Sequence, residues 1–138
     1  MKTPSITVVR TTAYWASTGF AALTLGASGA ANLLHARSVM EGLAHLGYPP
    51  YFASILGTWE LLGAAAIVAP DFPPIQEWAY AGMFFTLTGA ALSHAVSGDP
   101  LGKILVPVVL LVAVGVSRTC RPARRASSAA NLAVAHAA

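Results

Sequence analysis

Tyr51-Phe52-Ala53-Ser54-Ile55-Leu56-Gly57-Thr58-Trp59-Glu60-Leu61-Leu62-Gly63-Ala64-Ala65-Ala66-Ile67-Val68-Ala69 is a long apolar run with a single carboxylate near its middle. Pro49 and Pro50 precede it and Pro70 follows it, the punctuation of a helix that starts and stops sharply. At about 1.5 Å per residue the run comes close to spanning the ~30 Å hydrocarbon core of a bilayer. It does not alternate polar and apolar residues, so it does not read as a barrel strand. Backbone groups in lipid must bond within their own segment, which makes such a run helical.

Three further runs of the same character flank it, at about 13–34, 75–96 and 101–117. The spacing therefore predicts an all-α fold, an integral membrane four-helix bundle with spans at 13–34, 51–69, 75–96 and 101–117. Residues 1–122 form one membrane domain, and the basic, Ala-rich tail of 123–138 is expected to be disordered. Tyr14 and Trp15 suit an aromatic belt at the start of the first span. A cleaved leader is the competing interpretation of that segment, but its apolar stretch exceeds the ~7–15 residues of a usual signal core. Pro107 predicts a kink or a late start in the last span. Between the first two spans, Ser38 to Leu46 predicts a short interfacial helix, with Ser38 as N-cap, Glu41 closing a capping box and Gly47 as its stop. Val39, Met40, Leu43 and Leu46 give that helix an apolar face.

Composition agrees. Hydrophobic residues make up 56% of the 138-residue chain and charged residues only 9%, against roughly 25% charged in a soluble domain. The basic residues are uneven. Lys2, Arg10, Arg118, Arg121, Arg124 and Arg125 fall on the side of the termini, and Arg37 and Lys103 on the other. This predicts both termini in the cytoplasm. No folded basic module accompanies the arginines, which argues against nucleic acid. Cys120 is the single cysteine, so there is no internal disulfide, and no Cys/His cluster suggests a metal.

The chemistry falls to the few polar residues within the spans. A carboxylate at the depth of Glu60 costs a few kcal/mol even on lenient insertion scales, so Glu60 must face the bundle interior. There it serves as an interhelical hydrogen-bond peg or as a proton donor, base or ligand anchor. Gly57, Gly63 and Ala64 around it leave room for a neighbouring helix or a ligand. His94, one turn from the outer end of its span, suits proton transfer or a hydrogen bond to a ligand carbonyl. Glu60 and His94 are the candidate catalytic pair, separated in depth by ~10 Å at helical rise. Asn32, Trp59, Ser93 and Asp99 are the candidate ligand-binding residues, with Asn32 and Asp99 at the mouth of an outward cavity. Asp99 also fits an N-cap role ahead of Pro100, and Glu77 a helix-dipole role at the start of its helix. Trp59 and Trp78 read first as core. Ala22, Gly26 and Ala30, with Gly29 beside them, predict close helix packing or a homo-oligomer contact.

Leu46-Gly47-Tyr48-Pro49, Leu56-Gly57-Thr58-Trp59-Glu60-Leu61-Leu62-Gly63, Glu77-Trp78-Ala79-Tyr80-Ala81-Gly82 and Gly89-Ala90-Ala91-Leu92-Ser93-His94 resemble the DoxX-like family of small bacterial membrane proteins. Ser28-Gly29 and Arg121-Pro122 extend the resemblance, which covers about residues 13–122. It implies a four-helix bundle in the bacterial inner membrane and an association with quinone or redox membrane complexes. Many members carry a basic residue after the tryptophan of the second span. Glu60 stands there in this chain.

Three functions fit these residues. One is a membrane subunit that binds a quinone-like or other lipophilic molecule and works with a soluble oxidoreductase partner. The chain has no haem-ligand pair, dinucleotide fingerprint or cysteine cluster, so electrons would come from that partner. Another is a stand-alone membrane enzyme, of isomerase or epoxide hydrolase type, acting on a lipophilic small molecule. The last is a non-catalytic membrane scaffold or transporter, although a short apolar chain barely supports the water-filled path transport needs.

Overall fold

Ser5 begins the first helix: its Oγ accepts from the Val8 amide at 3.4 Å. The structure is a computed structural model describing residues 5–69 and 73–122. Every element among them is helical: α1 (Ile6–Leu33), α2 (Arg37–His45), α3 (Tyr51–Val68), α4 (Pro73–Val96) and α5 (Leu101–Cys120). Lys2, most of the turn at 70–74, Arg124, Arg125 and the 123–138 tail lie outside the described residues.

Several boundaries differ from expectation. α1 begins at Ile6, ahead of the span expected from Ala13, because Ser5 caps it and the helix takes in the polar residues before the apolar run. α5 starts at Leu101 and runs through Pro107, so the late start does not occur. Ser38 is not the cap of α2. The Val39 and Met40 amides bond back to the Ala36 carbonyl, which starts the helix before Ser38 is reached. Glu41 pairs instead with Arg37 at 2.8 Å, one turn back.

The same reverse turn closes three helices. At the end of α2, the Gly47 amide bonds Ala44 O and the Tyr48 amide bonds Leu43 O. At the end of α4, the Gly98 amide bonds Ala95 O and the Asp99 amide bonds His94 O. Both glycines take the left-handed conformation this cap needs, with φ of 82° and 71°. α1 ends the same way on His35, a residue with a Cβ, at φ 49°.

The long helices form a closed ring. α1 packs on α3 and α5, and α4 packs on the same two, with the α3–α4 seam the loosest. Neighbours run antiparallel: Thr18 of α1 meets Ser117 of α5, and Asn32 of α1 meets the middle of α3. The closest approach involves Gly29, where an added Cβ would come within 3.0 Å of the Gly57 carbonyl oxygen. An added Cβ on Gly26 would meet nothing within 4 Å, and Ala30 is exposed. The packing stripe is therefore Ala21, Leu25 and Gly29, not Ala22, Gly26 and Ala30.

The interior is largely apolar, built on Leu25, Ile67, Met83, Leu87, Leu110 and Val114, with a small polar cluster inside it and an outer face that is apolar as well. Thr18 and Ser117 are fully buried and hydrogen-bond at 2.6 Å, and Tyr80 OH joins Ser117 at 2.8 Å, tying α1, α4 and α5 together. Large apolar side chains point outward. Trp59 is 68% exposed and Trp78 81%, so neither is core as expected. Leu23, Phe85, Leu92 and Val96 are exposed too. So much apolar surface is costly in water and costs nothing in lipid. α3 and α5 are each long and apolar enough to cross a membrane.

Glu77 also departs from expectation. α4 begins at Pro73, which puts Glu77 beyond the first turn. Its carboxylate pairs with Arg118 at 2.9 Å and Arg121 at 3.0 Å, fastening α4 to the end of α5.

Candidate functional site

Glu60 owes its surroundings to two glycines. With no side chain at Gly29 or Gly57, α1 and α3 approach until Glu60 lies against α1. Ser28 Oγ donates to Glu60 Oε1 at 3.1 Å, and Asn32 Nδ2 donates to Oε2 at 2.9 Å. Asn32 Nδ2 also reaches the Ser28 carbonyl at 3.1 Å. Ser28 and Asn32 sit one helical turn apart, which lets both address one carboxyl group. Asn32 was expected at a cavity mouth. It is instead only 4% exposed, and its Oδ1 is buried without a partner.

His94 stands at the other end of the same space. The chain reverses at Gly98, and the Asp99 carboxylate returns over His94, with His94 Nδ1 to Oδ2 at 2.8 Å. Lys103 Nζ, one turn into α5, donates to Oδ1 at 2.9 Å. His45, from the end of α2, places Nε2 at 3.1 Å from both oxygens. Asp99 is thus not the N-cap of α5, since Pro100 holds that position and no side chain caps it. It ties α2, α4 and α5 together. Its side chain is 4% exposed, covered by its own partners at the end of the molecule. The His94 hydrogen bond and then the Lys103 one hold its carboxyl well below the usual carboxylate range, against the opposing effect of burial.

Ser93 bonds across to Tyr48 OH at 2.7 Å rather than to His94. Tyr48 stacks on Phe52 at 4.6 Å, which seats the α2–α3 linker against α4.

Two cavities adjoin here. One of about 420 Å³ is lined by Ser28, Asn32, Glu60, Thr86, Ser93 and His94, with Leu43 and Leu46 of α2 as a roof. The other, of about 390 Å³, follows the loose α3–α4 seam between Ile55, Trp59, Gly63, Ile75, Trp78 and Met83. Phe52, Leu56, Glu60 and Thr86 line both, so Glu60 marks the junction. Of the sequence candidates, Glu60, His94, Asn32 and Ser93 meet in the polar cavity and Trp59 lines the apolar one. Asp99 lines neither and acts on His94. Sequence reasoning passed over His45, Tyr48 and the role of Ser28. A histidine one residue before a stop such as Leu46-Gly47 was the only sign available for His45. Among the described residues no group is arranged to hold a metal.

Helices among the described residues, an apolar core and large apolar side chains over the outer face as well describe an all-helical, membrane-associated protein. The model of the DoxX-like family matches residues 7–117, and the chain belongs to that family. No curated protein and no solved structure matches it.

Proposed function

We propose that α1, α3, α4 and α5 all cross the bacterial inner membrane, with both termini cytoplasmic, and that the bundle binds a quinone-like or other lipophilic molecule as part of a redox-linked system. The observation that carries the binding role is the cavity that Glu60 and His94 both line at different depths, with an apolar groove adjoining it across Phe52, Leu56, Glu60 and Thr86. α1 has 28 residues and α4 has 24, ample for a bilayer, and together they are half of a ring whose other two members are apolar enough to cross it. Arg10, Arg118 and Arg121 gather at one end of the ring, and Arg37 and Lys103 at the other, in keeping with the basic-inside rule. The polar end would hold the head of the ligand, and the seam would take its apolar body.

Trp59 supplies the test. A short-tailed hydroquinone titrated into delipidated protein in detergent, with Trp15 replaced by Phe, should quench the remaining tryptophan emission saturably, and Glu60→Gln and His94→Ala should each weaken the effect. Linear, non-saturating quenching that neither variant alters would sink the proposal.

A second reading follows from the same pair. An acid and an imidazole facing one apolar cavity suit proton transfer to a lipophilic alkene or epoxide without any partner protein. Turnover by the purified chain alone would favour it, and an absolute need for an electron donor would count against it.

A further inference from the structure

We propose that the polar end of the cavity recognises a hydroxyl head, a phenol or alcohol rather than a carbonyl, with His94 Nε2 as acceptor and Asp99 as the residue that positions it. This rests on the lipophile-binding role given above and names the class of ligand.

The reasoning starts from Asp99. Lys103, His94 and His45 all direct nitrogens at its carboxylate. An ionised carboxylate can only accept hydrogen bonds, so the proton of a neutral His94 ring sits on Nδ1, 2.8 Å from Oδ2. Nε2 is then an acceptor. Among the described residues it has no partner, and His94 lines the polar cavity. Lys103 maintains the negative charge of Asp99 whatever the state of His45.

The donors nearby are already committed. The Ser28 hydroxyl and the Asn32 amide are spent on Glu60 and on the Ser28 carbonyl. Thr86 and the Tyr48–Ser93 pair carry hydroxyls, which donate or accept equally well. No Lys, Arg or Trp lines this cavity. At the His94 end, a ligand carbonyl would meet no dedicated donor. A ligand hydroxyl meets a fixed acceptor on His94, and its apolar body continues past Glu60 into the groove beside Trp59 and Trp78. For a redox-active ligand, the hydroquinone form would bind more tightly than the quinone.

Two measurements on the full-length protein in detergent test this. Nitrogen-15 histidine spectra, with the His94 signal assigned by its loss in His94→Gln, should show the Nδ1–H tautomer in the neutral ring. An Nε2–H tautomer overturns the proposal. Binding of para-nonylphenol and of its methyl ether, read by tryptophan emission with Trp15 replaced by Phe, should differ by about tenfold or more in favour of the phenol. Asp99→Asn should erase the difference, because the amide can donate to Nδ1 and invert the tautomer. His45→Ala breaks only the contact between α2 and Asp99 and should retain the preference, which separates ring positioning from anchoring of α2. Equal affinities for phenol and ether overturn the hydroxyl preference while leaving lipophile binding in place. If neither binds, the binding role falls and this inference with it. Should Asp99→Asn fail to fold, the wild-type tautomer and the phenol–ether pair still decide.

Discussion

Gly57 lies so close to Gly29 that a Cβ added to it would come within 2.7 Å of the Gly29 carbonyl oxygen. That atom belongs to helix backbone and cannot swing aside, so the contact sets the separation of α1 and α3 and with it the hydrogen bonds of Glu60. Gly57→Ala should cost about 1–3 kcal/mol through overpacking and weaken any ligand held at Glu60. Gly26→Ala is the control: its added methyl meets nothing within 4 Å, and it should gain up to ~1 kcal/mol from helix propensity. Reversible unfolding in mixed micelles compares the two. Equal stability would mean that the helices are not held at this distance.

The Asn32–Glu60 hydrogen bond at 2.9 Å joins α1 to α3. A double-mutant cycle of Asn32→Ala and Glu60→Ala should return a coupling of about 0.6–2 kcal/mol, the range of interhelical hydrogen bonds in membranes. A coupling near zero would show that α1 and α3 pack without it.

Ser117 serves two partners at once, Thr18 and Tyr80. Ser117→Ala leaves both hydroxyls unsatisfied and should cost about 1–3 kcal/mol. Tyr80→Phe removes one member and leaves the Thr18–Ser117 bond whole, so it should cost less. Thermal unfolding ranks them, and the reverse order would contradict the geometry.

Asp99 makes stability depend on acid. Its folded pKa is depressed below the ordinary 3.8, so its contribution is fully present above that value and is lost as pH falls through the folded one. Hydrogen-exchange protection at the α2 end of the molecule, corrected for the intrinsic pH dependence of exchange, should therefore stay flat from neutral pH to about 4 and fall below it. Asp99→Asn should remove that step. A wild-type profile without it would mean that the ion cluster does not hold α2.

His35 occupies a left-handed position, φ 49°, with only a 3.2 Å contact from its ring to Ser54 Oγ in return. His35→Gly should stabilise the protein by about 0.5–1 kcal/mol, the relief of Cβ strain less the lost side-chain contact. A loss of stability would show that the ring contact outweighs the strain.

Much of the fold was legible in the sequence because lipid imposes a simple rule: a long apolar run must satisfy its own backbone and so becomes a helix. The punctuation at Pro49-Pro50, Gly47 and Gly98-Asp99-Pro100 marked ends to within a residue or two, as those residues act locally. The interior position of Glu60 was also legible, since a lone carboxylate in an apolar run has nowhere else to go. Local signals misled where two competed. Ser38-x-x-Glu41 looks like a capping box, but the chain leaving α1 had already re-entered a helix at Arg37.

Only the tertiary structure decided which residues meet. Thr18 and Ser117 are 99 residues apart in sequence, and no pattern along the chain could pair them. Trp59 and Trp78 faced outward for the same reason: which side of an all-apolar helix points at lipid depends on its neighbours, not on its own periodicity. The clearest case is the segment quoted first. Residues 51–69 announced a helix with a buried acid, while the partners of that acid, Ser28 and Asn32, were chosen by the Gly29–Gly57 contact. Apolar burial is a property of single residues and is written along the chain, whereas hydrogen-bond partnership is a property of pairs and appears only once the helices are packed.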